Sequence, residues 1–168
     1  MKPKIQIFIT GGTFDKSYDY IRGELFFKKT HLPEMIKRSR CQLDLEITTL
    51  MMMDSLDMKP KHILEIISAC KNCIHDQIII THGTDKMLNT AHALAKEESL
   101  KSKTILLTGA MIPYAFGSSS DGFFNLGCAL AFVQTLTPNI YITMQGQNFI
   151  WNEVQKNKEK GCFERILC

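Results

Sequence analysis

The sequence has no strong excess of charge of one sign and no long apolar run. Its formal net charge is +3, an excess too small and too scattered to indicate a nucleic-acid partner. The longest apolar runs fall well short of the roughly 20 residues that a membrane-spanning helix needs. The chain passes directly into a strand-like stretch at residues 5–9, with no apolar segment and small-residue cleavage site before it. We therefore predict no secretory signal, no membrane partner, no nucleic-acid partner and a cytoplasmic location.

Motifs that hold nucleotides and metals are also missing. No Gly-x-x-x-x-Gly-Lys-Ser/Thr loop is present and no Gly-x-Gly-x-x-Gly follows the first strand, which disfavours nucleoside triphosphates and dinucleotides. The six cysteines include one Cys-x-x-Cys pair, Cys70 and Cys73. That pair closes an amphipathic helix, and no second ligand pair with zinc-like spacing follows it. We predict free thiols, no metal and no cofactor.

The sequence does contain short apolar strands that alternate with helical patterns. Its 168 residues, 45% of them apolar, suffice for a core in one domain, residues 1–168. The predicted strands are 4–9, 43–50, 77–81, 104–108 and 140–144, and the predicted helices are a short one near 32–36, then 60–73, 86–97 and 120–133. This alternation predicts a single-domain α/β fold of the Rossmann or flavodoxin-like kind, with three layers in which helices cover both faces of a parallel or mixed sheet.

Three details of the prediction concern position. Residues 43–50 alternate apolar and polar side chains, which is typical of a strand near the sheet edge. The helix at 120–133 is apolar nearly all round, which predicts that it is buried. Residues 140–144 are predicted to be the last strand, and the polar and aromatic residues 14–27 are predicted to form a loop or hairpin that can lie over a site.

Hydroxyl-bearing and glycine-containing turns follow several of the predicted strands. They are residues 10–13, 55–57, 81–86 and 109–111, together with the segment after Met144. In a parallel sheet the carboxyl ends of the strands gather along one edge, and ligands bind there in open α/β sheets. We therefore expect these turns to form one site.

The residue types in these turns suit nucleophilic acyl transfer. A threonine hydroxyl is a poor nucleophile until a base removes its proton, and a desolvated lysine oriented by a carboxylate can be that base. Backbone N–H groups in a glycine turn can hold the developing oxyanion. Spacing does not choose among Lys86, Lys156, Lys158 and Lys160, although the last two are typical of a solvated face. His82, where a strand ends, is interpreted as a structural histidine.

Four motifs together resemble the bacterial-type L-asparaginase/glutaminase family. They are Thr10-Gly11-Gly12-Thr13, Thr81-His82-Gly83-Thr84-Asp85, Thr108-Gly109-Ala110-Met111 with Pro113, and Ser120-Asp121-Gly122 with Asn125-Leu126. The Thr-Gly-Gly-Thr and Thr-His-Gly-Thr-Asp signatures occur in the family's order, each after a predicted strand, and this makes the resemblance specific. It covers the whole chain but only the N-terminal domain of the usual two-domain enzyme, so the chain looks like a short, single-domain form.

The resemblance implies roles for particular residues. The family hydrolyses a side-chain amide through two threonines, here Thr13 and Thr84, assisted by Asp85 and a lysine. That lysine follows the last strand of the domain in an Asp-Val-x-Lys context, and Glu153-Val154-Gln155-Lys156 is similar, so the resemblance selects Lys156 over Lys86. The family's mobile-loop tyrosine corresponds to Tyr20, in Tyr-x-x-Gly with Gly23, and Tyr18 is a close rival.

Substrate binding is assigned on the same basis. The family's substrate-binding serine corresponds to Ser55, although its usual glutamine neighbour is replaced by Leu56. Gly12, Gly83 and Ala110 in the glycine turns are the further substrate-binding positions. No second domain is present to supply the acidic residues that cap the pocket from a neighbouring subunit, so we predict an open pocket or one closed by a homo-oligomer, a dimer or tetramer.

Three hypotheses about function follow. The first is an amidohydrolase that converts L-asparagine to L-aspartate and ammonia, with a threonine nucleophile and no cofactor. The second is a catalytically weak amino-acid-binding or regulatory protein, suggested by the missing cap. The third is a deamidase for another amide, such as glutamine or a larger amidated partner. Which threonine forms the acyl-enzyme is left open.

Overall fold

The structure, a computed structural model, describes residues 4–166. Its strands are β1 (Ile5–Gly11), β2 (Lys16–Asp19), β3 (Glu24–Phe27), β4 (Leu45–Met53), β5 (Gln77–Thr81), β6 (Thr104–Thr108), β7 (Asn139–Met144), β8 (Gln147–Ile150), β9 (Val154–Asn157) and β10 (Cys162–Arg165). Its helices are α1 (Leu32–Ser39), α2 (Pro60–Asn72), α3 (Met87–Ala95) and α4 (Gly122–Phe132). Every strand and helix of the predicted alternation is present. Residues 1–3 and 167–168, including Cys168, lie outside the described part.

Six strands form one mixed sheet in the order β4-β1-β5-β6-β7-β8. The first five run parallel, and β8 returns antiparallel against β7. Strand β4 lies at the sheet edge, as its alternating sequence predicts. The three central strands β1, β5 and β6 are almost wholly buried, and burial on both faces explains the continuous apolar stretches of β5 and β6.

Two hydrophobic clusters cover the two faces of the sheet. Successive side chains on a strand point to opposite faces, and in β5 Ile78 and Ile80 pack with α2 and α3 while Ile79 packs with α1 and α4. The predicted three-layer α/β architecture is therefore confirmed. None of the helices within residues 4–166 has the length and apolar character needed to cross a bilayer.

The prediction that residues 140–144 form the last strand is wrong. Gln145 and Gly146 both have positive φ, 54° and 78°, and Met144 pairs with Gln147, so a two-residue turn leads directly into β8. Within residues 4–166, strands β9 and β10 pair only with each other. Their segments are polar and short, so periodicity gives little sign of them, yet Val154 and Phe163 insert into the core.

Helix α4 is half-exposed rather than buried, which corrects a second prediction. Asn125, Leu126 and Ala129 face the sheet, whereas Phe124 on the other side is 58% exposed. Helical spacing puts these residues on opposite faces, so an apolar composition on every side does not by itself mean burial.

Candidate active site

The turns after β1 and β4 and those after β5 and β6 are joined by backbone hydrogen bonds. Gly12 N donates to Met53 O at 2.8 Å, at the carboxyl ends of β1 and β4. His82 N donates to Thr108 O, also at 2.8 Å, at the ends of β5 and β6. The predicted convergence of these turns at one sheet edge is therefore present in the structure.

Glycines bring the first and third of these turns into direct contact. Gly12, at φ 73°, lies so close to Gly83 that a Cβ on Gly12 would overlap the Gly83 backbone. A Cβ on Gly83 would in turn overlap the side chain of Ser55. Thr13 and Thr84 each follow one of these two glycines, so the two threonines lie on adjoining turns. Gly12 and Gly83 thus serve the close packing of the turns.

Lys156 lies beside Thr84 and Asp85. Its Nζ donates to Thr84 Oγ1 at 2.8 Å and to Asp85 Oδ1 at 2.6 Å. The Lys156 side chain is only 11% exposed, whereas that of Asp85 is 41% exposed. Strand β9 supplies the lysine, and the turn before α3 supplies the other two residues. A hydroxyl, an amine and a carboxylate thus form one hydrogen-bonded set, the arrangement that moves a proton to or from a hydroxyl.

Buried His82 fixes the turn that carries Thr84. Its Nδ1 lies 2.8 Å from Gly83 O and its Nε2 lies 2.8 Å from Thr90 Oγ1 on α3. Burial lowers the pKa of His82 from 6.5 to about 4, against the smaller effect of the Gly83 hydrogen bond. The imidazole is therefore neutral near pH 7, with one nitrogen donating to the carbonyl and the other accepting from the hydroxyl. The structural interpretation of His82 is confirmed.

Ser55 lies under the same turn, and Lys86 ties the two together. Ser55 is buried, and its Oγ accepts a hydrogen bond from Lys86 N at 3.3 Å. Lys86 Nζ donates to the carbonyls of Leu56 at 2.8 Å and Met58 at 3.3 Å. Of the lysines that spacing left open, Lys86 is therefore engaged in joining turns, while Lys156 contacts a threonine hydroxyl.

Asp121 and Asn125 hold the turn after β6 that contains Ala110. The Asp121 carboxylate accepts from the N–H groups of Met111 and Ile112, each at 3.0 Å. Asn125 Nδ2 donates to Gly109 O at 2.9 Å. The methyl group of Ala110 is buried in the cluster under α1 and α4, so only its backbone is left to meet a ligand.

The predicted hairpin is present as β2 and β3, and within residues 4–166 neither of its tyrosines is hydrogen-bonded to Thr13. Tyr20 begins the hairpin turn and is 83% exposed. Tyr18 packs edge-on against Phe116, with 6.1 Å between ring centroids. Thr13 itself opens the short 3-10 turn Thr13–Asp15 and is half-buried. The structure thus joins Thr84, Asp85 and Lys156 by hydrogen bonds, and among the described residues neither candidate tyrosine takes part in them.

Comparison with known proteins gives the family. The family model described as "Asparaginase, N-terminal" matches residues 4–164. The chain belongs to the asparaginase family. It is 36% identical over 138 residues to L-asparaginase 1 of Escherichia coli K12, a match covering 77% of this chain and 40% of that protein. It is 31% identical over 150 residues to a subunit of the glutamyl-tRNA(Gln) amidotransferase of Pyrococcus furiosus, covering 86% of this chain and 34% of that protein.

Solved structures of asparaginases share the fold. The thermostable L-asparaginase from Thermococcus kodakarensis superposes with a TM-score of 0.83 at 25% identity, over 97% of this chain and 51% of that chain. This asparaginase-family chain therefore spans a third to two fifths of the length of the curated relatives named above and about half of that solved structure. The α/β fold agrees with that of the family.

The sequence interpretation missed an ion pair that ties the hairpin to the site. Lys16 on β2 pairs with Asp54, whose Oδ1 also accepts from Leu56 N at 3.0 Å. Burial acts to raise the pKa of Asp54, but its bonds to Lys16 and Leu56, together with the positive charges of Lys16 and Lys156, hold that pKa below its ordinary value. No motif marks the pair. The one signal in the sequence was that Asp54 directly precedes Ser55.

Asp15, two residues after Thr13, is a further residue that the sequence interpretation missed. It is buried, and its Oδ1 accepts from Thr30 Oγ1 and His31 N, each at 2.9 Å. Burial raises the pKa of Asp15 despite these bonds. Asp15 directly precedes β2, and Thr30 and His31 follow β3, so these bonds join the chain on either side of the β2–β3 hairpin. Among the residues from 4 to 166, no group of three or more histidines, cysteines or acids is placed to hold a metal ion.

Proposed function

We propose that this chain is an amidohydrolase that converts L-asparagine to L-aspartate and ammonia. The observation that carries the proposal is the contact of Lys156 Nζ with both Thr84 Oγ1 and Asp85 Oδ1, at 2.8 and 2.6 Å. A packed lysine that touches a hydroxyl and a carboxylate suits the activation of a nucleophile for acyl transfer. Membership of the asparaginase family supports the same chemistry.

The reaction divides into two steps. In the first, a threonine Oγ adds to the side-chain carbonyl carbon of asparagine, and the hydroxyl proton passes to the Lys156 amine. The C–N bond then breaks, the nitrogen leaves as ammonia with a proton returned from the lysine, and an ester joins the threonine to the acyl group. In the second step water adds to the ester, and its proton passes to Lys156. The lysine then returns this proton to the threonine oxygen as the ester bond breaks, so aspartate leaves and the threonine hydroxyl is restored.

The roles within the site are proposed as follows. Thr13 is the nucleophile, with Tyr20 in support once the hairpin closes, and Thr84, Asp85 and Lys156 form the proton relay. Asp85 stabilises the lysine when it carries the proton, because opposite charges attract strongly where water is partly excluded. Ser55 and the backbone of Gly12, Gly83 and Ala110 bind the substrate. No cofactor enters either step.

A different amide is the second candidate substrate. The archaeal relative at 31% identity is named as part of a glutamyl-tRNA(Gln) amidotransferase, and this favours glutamine or an amidated larger partner as an alternative to asparagine. The cytoplasmic location, the single domain and the homo-oligomeric state stay predictions.

Ammonia release by the purified protein tests the proposal. L-Asparagine and L-glutamine are supplied in parallel to wild type and to Thr13→Ala, Thr84→Val and Lys156→Met. Wild type is expected to release ammonia, and each variant to lose about 100-fold or more in kcat, in line with the loss of a nucleophile or base. Thr49→Val is the matched control, because Thr49 is an exposed threonine on β4, and it should retain full activity.

The outcomes separate the candidates. Turnover of asparagine alone supports the asparaginase hypothesis, and turnover of glutamine alone moves the proposal to a glutaminase. A folded wild type that binds either amino acid without turnover would contradict the amidohydrolase and favour an amino-acid-binding protein. Full activity in Lys156→Met would contradict the proposed relay.

A further inference from the structure

Lys156 is carried by a hairpin that does not belong to the main sheet. Strands β9 and β10 pair only with each other, whereas Thr84 and Asp85 follow β5 in the centre of the sheet. The short distances from Lys156 to these two residues therefore depend on where the hairpin sits on the body of the molecule. Apolar contacts of Val154 and Phe163 attach the hairpin to the core, but such contacts are non-directional.

Gln145 supplies directional contacts to the same hairpin. Its Nε2 donates to Gly161 O at 3.0 Å, and its Oε1 accepts from Phe163 N at 3.0 Å. In the antiparallel register of the hairpin, Phe163 is paired directly with Lys156. One side-chain amide thus holds β10, the strand paired with the one that carries Lys156.

Asn125 anchors Gln145 to the body of the molecule. Gln145 N donates to Asn125 Oδ1 at 2.9 Å, and Asn125 Nδ2 donates to Gly109 O at 2.9 Å. Asn125 is fully buried. Gln145 itself has a φ of 54°, in the turn between β7 and β8. Two side-chain amides therefore connect the turn after β6 with the hairpin that carries Lys156.

We propose that Gln145 is a positioning residue that keeps Lys156 within hydrogen-bonding reach of Thr84. This inference rests on the proposed function, in which Lys156 moves the threonine proton. Gln145 hydrogen-bonds Asn125, Gly161 and Phe163, and it acts by fixing the position of β10, and through it β9. A proton relay depends on heavy-atom distances near 3 Å, so a hairpin displaced by about an ångström would leave the lysine present but ineffective.

The substitution Gln145→Met removes both hydrogen bonds and keeps the length of the side chain. We expect kcat to fall by about 10- to 100-fold, as for a misplaced catalytic group, with a KM within about twofold of wild type, because uniform binding of the substrate is untouched. Gln147→Met is the matched control. It makes the same change at an exposed glutamine of β8, two residues further on, and should leave kcat unchanged.

A second measurement reports the position of Lys156 without using activity. Reductive methylation with formaldehyde, followed by mass spectrometry, measures how fast each lysine is labelled. In Gln145→Met the labelling of Lys156 should rise several-fold, because the amine is released from Thr84 and Asp85. Lys103 is the internal control, since its side chain is also nearly buried, 9% exposed, and is held by the carbonyls of Cys73 and His75. Its labelling should not change.

The two readouts keep this inference separate from the proposed function. If wild type releases no ammonia from either amide, the proposed function fails, while Lys156 labelling still shows whether Gln145 places the lysine. Unchanged Lys156 labelling in Gln145→Met would overturn the inference. So would an equal rise at Lys103, which would indicate general loosening, and so would wild-type kcat in an active Gln145→Met protein.

Discussion

The charge state of His82 links the site to the stability of the fold. The folded protein keeps this imidazole neutral, with a pKa of about 4 against 6.5 when exposed. Between these two values the unfolded chain binds a proton that the folded chain does not, so stability must fall as pH decreases through this window. The contribution is complete above pH 6.5 and is lost by about pH 4.

We therefore predict that the free energy of unfolding falls between pH 7.5 and pH 4.5 by about 2–3 kcal/mol more in wild type than in His82→Gln, since one pKa unit corresponds to about 1.4 kcal/mol. Urea denaturation at several pH values measures this difference. His92→Gln, which replaces an exposed histidine on α3, is the control substitution. Equal slopes in wild type and His82→Gln would show that folding does not lower the pKa of His82.

At the scale of elements, the site exists because loops approach one another without side chains between them. Gly12 is the sharpest case, because its positive φ and its closeness to Gly83 each favour glycine. Gly23, in the hairpin turn, has nearly the same φ, 70°, but a Cβ there would meet nothing within 4 Å. Substitutions at these two glycines therefore distinguish the cost of a strained backbone conformation from the added cost of a steric clash.

We predict that Gly23→Ala costs about 1–2 kcal/mol of stability, the usual cost of a left-handed non-glycine residue. Gly12→Ala should cost at least about 2 kcal/mol more, because the turns after β1 and β5 must also separate, and it should abolish activity while Gly23→Ala leaves it largely intact. Thermal unfolding and ammonia release measure both effects. Equal losses of stability at the two positions would show that the turns can move apart freely.

The strands and helices that sequence patterns identified best were those whose burial is uniform. Residues 77–81 and 104–108 were predicted with the observed bounds, because a strand with both faces covered is a run of isoleucines and leucines with a polar turn after it. The hairpin of β9 and β10 was not predicted. Each of its strands inserts one apolar side chain, Val154 or Phe163, into the core. A single buried residue gives no alternation of apolar and polar side chains by which a strand could be recognised. The placement of this hairpin depends on Gln145, which lies 18 residues before Phe163.

At the scale of the whole molecule, topology predicted which turns would meet, but not which side chains would touch. The residues after parallel strands had to gather at one edge, so Thr13, Ser55 and Thr84 could be grouped from the sequence. The choice between Lys86 and Lys156 could not be made from spacing, because it depends on where a separate hairpin docks. In the structure Lys86 reaches the carbonyls of Leu56 and Met58, and Lys156 reaches Thr84.

The uneven distribution of burial predicts an order of local opening. The central strands β1, β5 and β6 are almost fully buried and hydrogen-bonded on both sides. The β2–β3 hairpin is a two-stranded sheet whose residues are all partly or fully exposed. The free energy of local opening ranges from nearly zero in such segments to the global free energy of unfolding in the core.

Amide hydrogen exchange followed by mass spectrometry should therefore show residues 16–27 exchanging first and residues 5–9, 77–81 and 104–108 last. A hairpin that opens on its own can admit substrate and bring Tyr20 towards Thr13 without disturbing the sheet that fixes Thr84. Saturating L-aspartate, the proposed product, should slow exchange in residues 16–27 and leave the central strands unchanged. If the hairpin is as protected as β5 in the free protein, it is a fixed part of the fold, and the reaction then involves no movement of Tyr20 with the hairpin.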